Sequence, residues 1–214
     1  MLDGYYHFND VANHFNETSY LQDVILVGVF YKDYPFSLGN LGSIEELREV
    51  DLTYPIHKTS DGDELGGGGL LFYDFLQQEL IPLIEQNYSV EIGNNTLMGH
   101  SLSGYFSLFQ MLEFRDNPLF KNVIALSPSL WWSNLEILEM EQAAHDVNAD
   151  LPFNLYIGIG EQEGVEANTL VDELNERITN HNYNNLNYLM ERYNGGHLHS
   201  AKDGFNSGLK FIFQ

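Results

Sequence analysis

Short unbroken apolar runs alternate along this chain with longer segments whose apolar positions recur at helical spacing. Residues 24–30 (Val-Ile-Leu-Val-Gly-Val-Phe) form the most continuous run, rich in β-branched side chains, and predict a strand buried on both faces. Further strands are predicted at 96–98, 123–126, 153–159 and 186–193. Leu71, Phe75, Leu76, Leu80, Leu83 and Ile84 keep helical spacing over 70–87, where Pro82 predicts a kink. Helices are also predicted from 105 to a stop near Asn117-Pro118, over 135–144, 167–180 and 203–213, with a short one opening at Ser43. Residues 55–69 read as a loop closed by four glycines at 66–69. Strands alternating with helices, without repeats or low-complexity linkers, predict an α/β fold. It is a mainly parallel sheet covered by helices on both faces, in a single domain over 1–214.

Composition narrows the partners. The 214 residues are 43% hydrophobic, enough for one buried core. Asp and Glu number 31 against 9 Lys and Arg, a formal charge of -22 that disfavours nucleic acid by repelling phosphate backbones. The excess reads first as a device for solubility or a saline habitat. The absence of cysteine excludes disulfides, thiol catalysis and zinc-thiolate sites. No apolar run reaches the length of a membrane span, and the first residues carry no signal-peptide pattern. Compartment, whether cytoplasmic or periplasmic and secreted, and oligomeric state stay open.

The candidate chemistry centres on Gly99-His100-Ser101-Leu102-Ser103-Gly104, between a predicted strand and a predicted helix. A serine on a tight strand-to-helix turn is a nucleophile elbow, and small neighbours let strand and helix approach closely. Ser103 stands where a second glycine is usual, with Gly104 directly after it. A serine hydroxyl needs an imidazole to take its proton and an acid to hold the imidazole's tautomer. The order Ser, Asp/Glu, His is met at the ends of later strands, by Gly160-Glu161-Gln162-Glu163 and by Gly195-Gly196-His197-Leu198-His199. His197 is the candidate base, with His199 the alternative. Glu163 is the candidate acid, since three residues past the strand-terminal glycine leave slack to reach back. Glu161, Glu166 and a Ser–His dyad without an acid are the other arrangements. His197-x-His199 lacks the further ligands of a metal site. Asp61-Gly62-Asp63-Glu64 lacks the later oxygen ligands of a calcium loop, with Leu65 and Phe72 at those places. His100 is expected to pack or to support the elbow. Trp131 and Trp132 could line an acyl or aromatic pocket or pack in the core.

These stretches together resemble the putative esterase family, the esterase D and enterochelin-esterase-like branch of the α/β-hydrolases. The resemblance also runs through Leu2-Asp3-Gly4, Val27-Gly28-Val29, Arg48 with Asp51-Leu52-Thr53, Ser127-Pro128-Ser129-Leu130-Trp131-Trp132 and Leu209-Lys210-Phe211-Ile212-Phe213. It implies a serine hydrolase of carboxylic esters, including siderophore trilactones, aromatic esters and thiol esters, with no metal or organic cofactor. It matches Ser101 to the nucleophile and His197 to the base, and implies an oxyanion hole from the backbone N–H groups of Leu102 and Tyr5. Arg48 is expected to anchor its loop through Asp51 or to contact substrate. An inactive hydrolase-like binding module and an acyltransferase using the same residues are the rival readings. In the family Leu-Asp-Gly ends a central strand preceded by others, so the expectation is a sheet lacking those strands and an internal start at Met1.

Overall fold

The computed structural model describes residues 1–31 and 41–214. The chain enters through helix α1 (Gly4–Glu17) and a 3-10 turn (Ser19–Leu21), then an extended stretch over 24–30 and helix α2 (Leu41–Asp51). A small antiparallel hairpin, β1 (His57–Lys58) with β2 (Glu64–Leu65), occupies the segment expected as a loop. Helix α3 (Gly69–Phe75) runs through a π turn (Leu76–Leu80) into α4 (Ile81–Asn87). Pro82 has no N–H for the carbonyl one turn back, and the expected kink takes the form of this wider turn. Then follow β3 (Thr96–His100), α5 (Leu102–Glu113), β4 (Asn122–Leu126), α6 (Glu136–Val147), β5 (Asn154–Gly160), α7 (Val165–His181), β6 (Asn187–Tyr193) and α8 (Ala201–Phe213).

The four long strands form a parallel sheet in the order β3-β4-β5-β6. Met98 pairs with Ile124, and Ile124 with Tyr156, in unbroken register. Alternation along each strand sorts side chains into two cores. Leu97, Val123, Ala125, Leu155 and Ile157 pack with Tyr105, Phe106 and Phe109 of α5. Met98, Ile124, Leu126 and Tyr156 pack with Val11 of α1 and Phe205 and Leu209 of α8. Helices therefore cover both faces, as the strand–helix alternation requires. At the amino ends of the strands, Asn154 donates to Asn122 at 2.7 Å and Asn187 to Asn154 at 2.9 Å, an amide ladder closing that edge.

The outer flank of β3 departs from expectation. Residues 24–30 are extended but join no sheet, and they are half-buried or exposed rather than buried on both faces. Apart from Val24 N–H, which donates to Leu21 O at 3.1 Å, their backbone partners are the first residues of the chain. Val29 N–H donates to Met1 O at 3.0 Å, Gly4 N–H to Val29 O at 3.3 Å, and the Met1 α-amino group to Val27 O at 2.8 Å. On the other side Leu2 N–H donates to Met98 O at 3.0 Å. Beside Met1 the two flanks border an open cavity of about 260 Å³ lined by Leu26, Val27, Leu80, Ile84, Leu97 and Phe213. Helix α1 was not foreseen, because Gly4 onward is only weakly apolar and its buried positions are few.

Candidate active site

Ser101 sits between β3 and α5 with φ 62° and ψ -120°, a conformation non-glycine residues rarely adopt. The turn is over-determined by its neighbours. Ser101 N–H donates to Leu126 O at 3.0 Å, and its carbonyl accepts from Tyr105 N–H at 2.9 Å and Ser129 N–H at 3.2 Å. Ser103 does what a glycine could not. Its buried hydroxyl accepts from His100 N–H and donates to His100 O, both at 2.9 Å. Gly99 is required by close approach, since a Cβ there would lie 2.3 Å from Ser103 O.

The loops after β5 and β6 lie side by side. Glu161 N–H donates to Tyr193 O at 2.8 Å and Gln162 N–H to Gly195 O at 3.0 Å. A Cβ on Gly160 would meet Gly195 O at 2.4 Å, so the strand-terminal glycine permits this contact. The pairing brings Glu163 to His197. Glu163 Oε2 takes the His197 Nδ1 at 2.8 Å, while Oε1 accepts from Ser127 Oγ at 2.6 Å and Gly160 N–H at 2.9 Å. Burial raises the Glu163 pKa, but the hydrogen bonds from His197, Ser127 and Gly160 outweigh it and hold the carboxyl below its ordinary value. An ionised carboxylate on Nδ1–H leaves Nε2 of His197 as the nitrogen able to accept a proton.

The Ser101 hydroxyl has Ser129 Oγ at 3.4 Å as its hydrogen-bond partner, and among the described residues no direct hydrogen bond joins it to His197. The two are linked through His100, whose ring lies 4.4 Å from that of His197 and whose Nε2–H donates to His197 O at 2.7 Å. Burial first, then the neighbouring His197 and His7, push the His100 pKa down to about 3. Glu161 and Glu166 are exposed, and the exposed His199 ring takes no hydrogen bond among the described residues.

Other expected site residues divide by burial. Trp131 is 52% exposed, while Trp132 is 2% exposed and packs in the core. Arg48 is buried, with Nε at 3.0 Å and Nη2 at 2.8 Å from Asp3 Oδ2 and Nη1 on Glu45. Its anchor is thus Asp3 and not Asp51, and its guanidinium is committed within the fold rather than offered to a ligand. Asp3 has φ 49° and leads into α1, so Arg48 fixes the turn carrying Tyr5. Leu102 opens α5, and its N–H is one of the donors a helix's first turn leaves without an intrahelical partner. Sequence reasoning passed over Ser127 and Ser129. Their signal was two serines flanking a proline directly after a strand beside the elbow.

A family model described as Putative esterase matches residues 2–212. The ferri-bacillibactin esterase BesA of Bacillus subtilis strain 168 is 31% identical over 169 residues, covering 72% of this chain and 54% of that protein. A siderophore enterobactin esterase of Emericella nidulans is 31% identical over 145 residues, 61% of this chain and 47% of that one. The chain thus spans about half the length of these relatives. Among solved structures, the BES protein from Bacillus cereus superposes with a TM-score of 0.82 at 28% identity, covering 100% of this chain and 81% of the other.

Proposed function

Since the chain belongs to the esterase family whose model it matches over residues 2–212, we propose that it is a serine ester hydrolase working through Ser101, His197 and Glu163. The observation that carries this reading is the buried Glu163 carboxylate gripping His197 Nδ1 at 2.8 Å beside a strained serine elbow. Ser101 Oγ attacks the ester carbonyl as Nε2 of His197 takes its proton. Glu163 holds the imidazole in the Nδ1–H tautomer and offsets the charge it gains. Leu102 N–H, with Tyr5 N–H from the turn clamped by Arg48, stabilises the oxyanion. The imidazolium then protonates the departing alkoxide, and water, deprotonated by His197, hydrolyses the acyl-enzyme. The proton transfer requires hydroxyl and imidazole within hydrogen-bond reach when ester is bound. The relatives named above as acting on siderophores favour a siderophore-type ester.

A fluorophosphonate probe and short-chain p-nitrophenyl esters test the reading. Wild type is expected to be labelled and active, and Ser101→Ala and His197→Ala to lose at least about 10³-fold in kcat/KM. An unlabelled but folded wild type would overturn it. If His199→Ala is the inactive variant instead, the base is His199.

A further inference from the structure

We propose that His100 is a positioning residue, whose ring and Nε2–H hold His197 in its working orientation with His7 as its backstop. The proposal rests on the reading of His197 as the base. Three imidazoles form a column from the α1 and α8 layer to the mouth of the site. His7 meets His100 edge-on at 5.1 Å between centroids and 74° between planes, and His100 meets His197 at 4.4 Å and 48°. Phe205 of α8 closes the inner end, 5.8 Å from His7.

His197 needs such a holder. It lies in the turn after β6, its side chain is 46% exposed, and Glu163 grips only one of its ring nitrogens. No strand ladder reaches its backbone, and the His100 side chain supplies the missing donor at 2.7 Å to its carbonyl. A carbonyl can only accept, so His100 carries a proton on Nε2, and burial among apolar and imidazole neighbours disfavours a second proton on the ring. Neutrality is what the reaction requires, because His197 becomes a cation when it takes the serine proton. A lysine or arginine here would oppose that charge. The groups acting on the column are Asp3 and Asp10 with His7 on the α1 side, and Glu163 on the other. His7 is buried, its Nε2 has no hydrogen-bond partner among the described residues, and burial lowers its pKa. Two neutral rings therefore back the third.

Rates per active serine, counted by fluorophosphonate titration, separate positioning from folding. His100→Phe keeps a ring but no donor, and is expected to lose about 10²-fold in kcat per titrated site with KM nearly unchanged. His100→Gln restores an N–H donor and is expected to recover most of that loss. Wild-type kcat per titrated site in His100→Phe, or equal losses in both variants, would overturn the proposal. Nitrogen-15 shifts of the histidine rings read positioning without turnover. His197 is expected as one Nδ1–H tautomer in wild type and as a mixture of tautomers in His100→Phe, where the unheld ring spends part of its time off Glu163. An unchanged single tautomer there would overturn the proposal, even if an unlabelled wild type had already ended the esterase reading.

Discussion

Strand β3 is flanked by two regions that satisfy their polar groups in different ways. At its carboxyl end the backbone N–H and C=O groups of His100 and Ser101 have partners drawn from residues 103–129, and both oxygens of Glu163 are taken. Along its outer side, Leu2 supplies a bond to Met98, residues 24–29 hydrogen-bond to the first residues of the chain and to Leu21, and a cavity follows. Apolar side chains stand exposed near that flank, Ile25, Leu71, Leu83 and Ile92 among them. The difference divides the proposed machinery. Nucleophile and acid are held by contacts internal to 99–200, and the base by these with His7 behind them, whereas the turn carrying Tyr5 depends on the looser flank.

Three measurements would break or sharpen that contrast. The largest effect is expected from Glu163→Gln, which removes the charge that holds His197. It should cost about 10²- to 10⁴-fold in kcat/KM with little change in Tm. A loss under threefold would mean the tightly bonded corner is not what drives the chemistry. Next, Phe106→Ala, on the core face of the elbow helix, should cost about 3–5 kcal/mol, against about 1 kcal/mol for Ile84→Ala on the cavity wall. Urea unfolding of the two variants gives the difference, and equal costs would erase the distinction between the flanks.

The smallest effect is in pH. His100 is held down to about 3 from an ordinary 6.5, so the unfolded chain takes up this proton first. Stability then falls as pH drops from 6.5 towards 3, by about 2 kcal/mol between 6.5 and 5. The depressed Glu163 carboxyl acts in the same direction: its contribution is complete above the ordinary value and is lost as pH falls through its lowered pKa. His100→Gln should flatten the part of the curve between 6.5 and 5. A urea midpoint with the same pH slope in both proteins would count against the buried, neutral ring.

The sheet and the elbow were legible because their signals are local. Short apolar runs mark 123–126 and 153–159 whatever they pair with, and the small residues around Ser101 reported the close approach that the elbow makes. Residues 24–30 misled because a strand needs a neighbour, and an apolar run does not say whether one is present. Arg48 was read as anchoring through Asp51 or contacting substrate, and its partner Asp3, 45 residues away, lies beyond anything spacing can reveal. Trp131 and Trp132 look alike in sequence, and only packing separates the exposed ring from the buried one. His100 was assigned to the elbow, whereas its ring serves a loop 97 residues on.

Ser127 and Ser129 sit two residues apart on one turn, one hydrogen-bonded to the Glu163 carboxylate and the other at the Ser101 hydroxyl. Acid and nucleophile come from different strands, yet they share this single hinge, with proline stiffening its middle. A displacement of the turn would disengage both ends at once. The site is therefore mechanically indivisible here, and substitutions that shift this turn should act on the two groups together rather than separately.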